Sequence, residues 1–189
     1  GLGFGEAVRQ ASFNGVSIMT GTGYVSANFS AWGGFATTIL LIVMFIGGCG
    51  GSTTCGIKVF RLQVLASTAK VQISRLLRPH AVVLAYYNKR PVSVEVMDSV
   101  MGFFYLFILG FVLIAIMLGM AGLDFVTALS GAATSISNVG PGLGEVIGAD
   151  GNFSTLPDSA KWIMSFAMLL GRLEIFTVLV MLNPAFWQR

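Results

Sequence analysis

Between Ser99 and Gly122 the chain runs for 24 residues without a charged side chain. As a helix that stretch is roughly 36 Å long at 1.5 Å per residue, enough to cross a hydrocarbon core of about 30 Å. The remaining composition suits the same solvent. Of 189 residues, 55% are hydrophobic and 10% are charged, where an average soluble domain carries about 25% charged residues. Mean hydropathy is +0.83. The 24 Gly, 15 Phe and 9 Met fit packed membrane helices, in which Gly is more frequent than in soluble ones. A soluble enzyme, a nucleic-acid binder and a disordered chain are excluded. Cys49 and Cys55 are too few for a disulfide framework and have no neighbouring ligand for zinc. With Gly1-Leu2-Gly3-Phe4 at its start, the chain reads as the C-terminal part of a larger protein.

Two further spans are expected, from about Ala31 to Gly48 and from about Ala160 to Leu182; the latter carries Arg172 and Glu174 near its middle. Ionisable residues at that depth are costly and mark function. Two apolar segments, Phe4 to Ile18 and Asp124 to Ser137, are too short to cross, each about 21 Å as a helix. Each leads into a Gly-rich stretch, Thr20-Gly21-Thr22-Gly23-Tyr24 and Asn138-Val139-Gly140-Pro141-Gly142-Leu143-Gly144. A half-length helix, irregular backbone and then a full span describe a re-entrant loop, tolerated at membrane depth only against protein or a water-filled cavity. The two units read as a repeat. Setting Gly23 on Gly140 shifts the chain by 117 residues and places Ala11 on Ala128 and Ser17 on Thr134, with Trp32 and Trp162 near the starts of the following spans.

Charge sets the expected topology. Lys58, Arg61, Lys70, Arg75, Arg78, Lys89 and Arg90 lie together with no acid among them, as expected of a cytoplasmic segment. Asp124, Glu145, Asp150 and Asp158 precede the next base, Lys161, so both re-entrant loops are expected to open to the outside at an acidic mouth that concentrates cations.

Several motifs point nowhere. Gly51 to Lys58 looks like a phosphate-binding loop, but Ile57 separates the second Gly from Lys58 and no Ser or Thr follows. His80, the only histidine, reads as a surface or interfacial residue. Asn28-Phe29-Ser30 and Asn152-Phe153-Ser154 fit the glycosylation pattern, which matters only in a secretory pathway. No grouping of His, Cys and Asp suggests hydrolytic or redox chemistry, so no enzymatic activity is expected.

The glycines do suggest chemistry. Backbone carbonyls can replace the hydration shell of a monovalent cation, and Gly reaches conformations that aim successive carbonyls at one axis. Gly23 follows Thr22 and Gly140 follows Val139, each after a half-length helix. The run Gly47-Gly48-Cys49-Gly50-Gly51-Ser52-Thr53-Thr54-Cys55-Gly56 is half Gly, and Gly costs about 1 kcal/mol relative to Ala inside a helix. The helix should break here, in a flexible plug near the inner end of a pore or in a simple turn.

Three motifs, in order, resemble one family. The segment from Ile46 to Lys58 resembles the interrupted helix of the Trk-type potassium uptake proteins, the TrkH/KtrB/HKT superfamily. Asn138 to Gly144 is similar to that family's fourth filter loop, and Leu170 to Thr177 to its last pore-lining helix with a signature Arg. The resemblance implies an all-α membrane protein of M1–pore-loop–M2 repeats. Residues 1–92 would supply the pore loop and interrupted M2 of repeat three plus a basic cytoplasmic segment; 93–189 would supply repeat four. It implies potassium uptake, with sodium as a second candidate ion. The filter would be Gly21, Thr22, Gly23 and Tyr24 with Asn138, Val139, Gly140 and Pro141, holding K⁺ at backbone carbonyls. Gly47, Gly48, Gly50, Gly51, Ser52, Thr53, Thr54 and Gly56 would form a gating loop and Arg172 a positive barrier in the pore. Gly21 stands where the family pattern leads one to expect Thr. The implied partners are the remaining repeats, a second copy in a homodimer, a cytosolic nucleotide-binding regulatory subunit and the lipid of a bacterial inner membrane. No nucleic acid and no bound cofactor are implied. The competing reading is a non-conducting helical subunit of a membrane complex.

Overall fold

The computed structural model describes residues 3–78, 83–173, 175–182 and 184–187. Its elements are helices α1 (Phe4–Thr20), α2 (Gly34–Phe45), α3 (Val59–Leu77), α4 (Val94–Met120), α5 (Phe125–Ser137), α6 (Asp158–Arg172), α7 (Ile175–Leu182) and α8 (Pro184–Trp187). A two-strand hairpin, β1 (Tyr86–Tyr87) and β2 (Arg90–Pro91), lies between α3 and α4. The fold is all-α apart from this hairpin.

Among the described residues α4 alone is long and apolar enough to cross a membrane. It begins earlier than the uncharged run, because the Ser93 hydroxyl accepts the Val96 amide and caps it. The other two expected spans are corrected. Rather than running from Ala31 to Gly48, the chain makes a 3-10 turn at Phe29–Trp32 and then the 12-residue α2, about 18 Å long. The helix stops at Phe45 because the chain folds back there: the Gly47 amide donates to the Ile57 carbonyl (2.9 Å) and the Ile57 amide to the Phe45 carbonyl (2.8 Å). The span expected from Ala160 to Leu182 is two helices, α6 ending at Arg172 and α7 starting at Ile175. Gly171 presses α6 so closely on α5 that a Cβ there would overlap the Ile136 carbonyl. The α1 helix also outruns expectation, continuing through Thr20. His80 and Glu174 lie outside the described residues.

The core is a layer of α4, α5 and α6. Phe103, Phe107, Ile114 and Leu118 of α4 meet Ala128, Ala132 and Ile136 of α5 and Ala160, Met164 and Ala167 of α6. Small residues on α5 and α6 let the backbones approach. A second cluster joins the halves of the chain: Ile18, Phe29, Leu40 and Met44 pack on Ala133, Val139 and Leu143. The Asn28 amide donates to the Asp150 carboxylate and Ser30 Oγ to the Gly144 carbonyl (2.9 Å), tying the connecting loops together. The two glycosylation-like asparagines are turn caps here: Asn28 accepts from the Ser30 amide and Asn152 from the Ser154 amide, each at 2.9 Å.

Candidate ion site

Both half-length helices end in the same local chemistry. The last turn of α1 closes on Gly21, in the left-handed region at φ 69°, and that of α5 on Asn138, at φ 52°. Left-handed geometry suits Gly and is tolerated by Asn. The Gly21 amide donates to the Ile18 carbonyl and the Asn138 amide to Ser135; the Thr22 amide donates to Ser17 and the Val139 amide to Thr134, both at 3.0 Å. These two backbone bonds of the first loop each have their counterpart 117 positions later. Side chains then hold each loop against its helix. Ser17 Oγ donates to the Tyr24 carbonyl (2.7 Å), and Thr134 Oγ1 accepts the Gly140 amide (3.0 Å). Further out Asn14 pairs twice with Ser26, and Ser130 pairs twice with Leu143.

The two loops meet. A Cβ on Gly23 would stand 2.8 Å from the Val139 carbonyl oxygen and 3.3 Å from Pro141 Cδ. One on Gly140 would stand 3.5 Å from Gly23 Cα, and one on Gly21 3.3 Å from the Asn138 oxygen. Gly23 and Gly140 take φ of 77° and 115°, conformations that a side chain disfavours. The amides of Gly21, Thr22, Gly23, Asn138, Val139 and Gly140 all donate hydrogen bonds, yet among the described bonds the carbonyls of these six residues accept none. The donors are spent inward and the acceptors left over, a set suited to a cation and not to an anion.

The Gly47–Gly56 segment sits at the start of the first loop. Thr54 Oγ1 reaches the Thr20 carbonyl (3.4 Å) and pairs with Ser52 Oγ (2.9 Å). Arg172 Nη1 donates to the Thr53 carbonyl (2.7 Å) and approaches Cys55 Sγ (3.7 Å). Gly51 and Gly56 adopt positive φ, and a Cβ on Gly47 would overlap the Cys55 carbonyl. Gly48 is confined by the Ser52 and Thr54 hydroxyls, and Gly50 lies against the Phe60 ring. A cavity of about 180 Å³ borders this segment, lined by Thr53, Cys55, Phe103, Phe107 and Arg172 among others.

The TrkH cation transport protein model matches residues 2–189. The chain belongs to the TrkH cation transport family. Within it, the Trk system potassium uptake protein TrkI of Halomonas elongata is 47% identical over 183 residues, covering 97% of this chain and 37% of that relative. TrkH of Escherichia coli strain K12 is 37% identical over 181 residues, 96% of this chain and 37% of its own length. The crystal structure of the potassium transporter TrkH from Vibrio parahaemolyticus superposes with a TM-score of 0.87 at 40% identity, over 96% of this chain and 38% of that one. The chain therefore spans well under half the length of the TrkH-family proteins it matches.

Beside the residues read from sequence, the TrkH fold brings three others into the site. Gly171 lets α6 descend onto α5, the Asn138 side-chain amide donates to the Met168 carbonyl (3.0 Å), and the Cys55 thiol lies beside Arg172. A glycine directly before Arg172 was the available signal for the first. Nothing in the sequence pointed to the other two contacts.

Proposed function

We propose that this chain supplies two of the loops of a potassium-conducting pore, with Gly21–Tyr24 and Asn138–Pro141 as its share of the selectivity filter. The observation that carries the reading is that the carbonyls of Gly21, Thr22, Gly23, Asn138, Val139 and Gly140, on two touching loops, accept none of the described hydrogen bonds while the amides of the same six residues all donate. Two features support it. Both α1 and α5 point their C-termini at the loops, and a helix C-terminus carries partial negative charge that favours a cation. The relatives' names specify potassium.

On this reading Gly47–Gly56 is the gate. It occupies the approach to the first loop and is held by Thr54 and Arg172. Arg172 adds a fixed positive charge that opposes a cation nearby. The chain would lie in a bacterial inner membrane as a multi-pass segment, its basic stretch cytoplasmic. It would work within the longer protein, as a homodimer with a cytosolic nucleotide-binding subunit. Transport, and no catalysis, is the activity.

The test is ion flux through the full-length protein in liposomes, with potassium and sodium offered separately. Potassium should pass faster than sodium. Inserted protein that passes neither cation faster than protein-free vesicles would leave a non-conducting membrane subunit as the better reading.

A further inference from the structure

The hairpin between α3 and α4 lies apart in sequence from the two Gly-rich loops and the Gly47–Gly56 segment. Asn88 and Lys89 both take left-handed backbone, φ 48° and 63°, the signature of a tight two-residue turn that matches strand twist. Its strands pair Tyr86 with Pro91 and Tyr87 with Arg90. Ser67 of α3 both donates to the Tyr86 carbonyl (3.1 Å) and accepts its amide (3.2 Å), so the hairpin is fixed to that helix. Both tyrosines remain exposed, as do Lys89 and Arg90. One turn along α3 from Ser67 stands Lys70, also exposed. The described ion pairs include none of Lys70, Lys89 and Arg90. The acids nearest in sequence, Glu95 and Asp98, lie beyond the Ser93 cap on α4.

Position decides what such a surface meets. From Arg90 to Val94, where the membrane-crossing helix begins, the chain spans four residues, at most about 14 Å when extended. The hairpin thus stays at the edge of the bilayer, where Tyr rings settle at headgroup level and bases next to a spanning helix attract anionic lipid. We propose that Lys89, Arg90 and Lys70, flanked by Tyr86 and Tyr87, form a binding site for the phosphate headgroups of anionic lipids in the leaflet on this side. The site depends on α4 crossing the membrane and not on the filter assignment.

The test is native mass spectrometry of the full-length protein released from detergent with equal amounts of phosphatidylglycerol and phosphatidylcholine. The variant is Lys89→Asn with Arg90→Gln, the Asn chosen because it keeps the left-handed turn. Wild type should retain phosphatidylglycerol in preference. The double variant should lose that preference by roughly fivefold or more, with phosphatidylcholine unchanged. Raising salt from ~0.15 M to ~0.5 M should weaken the wild-type preference by shortening the reach of the charges. Arg9→Gln, on α1 and remote in sequence, should behave as wild type. An unchanged lipid ratio in the double variant overturns the proposal. If the same spectra show dimer converted to monomer at constant lipid ratio, the surface belongs to a second copy. If only binding of an added poly-glutamate peptide is lost, it belongs to an acidic protein. Potassium flux is not the readout, so failure here leaves the pore reading intact, and the reverse holds too.

Discussion

Helix α5 is buried at ten of its thirteen residues and α1 at only three of seventeen, yet the loops that follow them carry matching hydrogen bonds 117 positions apart. Around α5 lie α4 and α6, whereas α1 leaves Phe4, Phe13, Val16 and Met19 exposed in this chain. Within this chain, then, the packing around each helix is not what the two loops have in common. The common cause is local: a left-handed residue ending each helix, Ser17 or Thr134 one turn back, and glycine at 23 and 140.

The comparison breaks first at the glycines. In Gly23→Ser the new carbon would approach a backbone carbonyl at 2.8 Å, while in Gly140→Ser it meets Gly23 Cα at an ordinary 3.5 Å. Strain of about 1–3 kcal/mol at such positions brackets the 1.4 kcal/mol that a tenfold change represents. Gly23→Ser should therefore lower the potassium-to-sodium flux ratio of the full-length protein roughly tenfold, and Gly140→Ser less. A larger loss from Gly140→Ser would show that the loops are not equivalent in the way their hydrogen bonds suggest.

The next effect concerns the element that bridges the units. Arg172 belongs to the second unit but holds Thr53, whose neighbour Thr54 leans on the first. A charge-assisted hydrogen bond is worth about 1.5–3 kcal/mol. Arg172→Gln should raise potassium flux about fivefold or more, and Arg172→Lys should stay nearer wild type because the charge remains. Equal flux in the two variants would reduce Arg172 to a structural tie.

A finer asymmetry lies at the helix ends. Thr20 Oγ1 pairs with Thr22 Oγ1 at 2.7 Å. The counterparts in the second unit are Ser137 and Val139, and there the buried Ser137 hydroxyl has no partner among the described residues. Restoring the pair with Val139→Thr should cost under about 1 kcal/mol in unfolding free energy, against about 1–3 kcal/mol for a buried hydroxyl with nothing to bond. In a Ser137→Ala background the same change should cost more. A thermal-denaturation double-mutant cycle with no coupling would show that the two positions do not meet.

The smallest effect distinguishes the helix starts. Asp124 caps α5, accepting the Thr127 amide at 3.1 Å, whereas Gly3 gives α1 no side-chain cap. The Thr127 hydroxyl and amide hold the Asp124 carboxyl below the usual carboxylate range, whose ordinary value is 3.8. A lowered folded-state value means the carboxyl stabilises the fold above its unfolded pKa and ceases to as the pH falls through the folded one. Asp124→Ala should lose about 1 kcal/mol at neutral pH, and the difference from wild type should fade below pH 3.8. A difference that persists in acid would assign the effect to something other than the ionised cap.

The sequence was most legible where chemistry is local. The segment read as Asp124 to Ser137 matches α5 to within one residue, because the caps at Asp124 and Asn138 act within one turn. Spans that depend on partners were misread. The apolar run of α2 continues past Phe45, where the return of Ile57 ends the helix; α6 stops at Arg172, directly after Gly171 meets Ile136 across the core. The hairpin was hidden inside a run of bases, since Asn88-Lys89 is a weak turn signal without the usual Gly. The facing of Gly23 and Gly140 could not be read from spacing, which gives correspondence along a chain but not distance across it.

The neck of the Gly47–Gly56 segment carries a further consequence. Its two ends are pinned together by the Ile46–Ile57 bridge, so α2 and α3 remain joined whether or not the residues between them move. Displacing the segment would break the Thr54 and Arg172 contacts and leave the Ile46–Ile57 bridge in place. Such motion belongs to the nanosecond-to-microsecond range of loops, not the slower range of helix rearrangement. A pore stopped in this way would show an electrical record of brief, frequent interruptions whose duration is set by a few polar contacts, with little dependence on the thickness or stiffness of the surrounding bilayer.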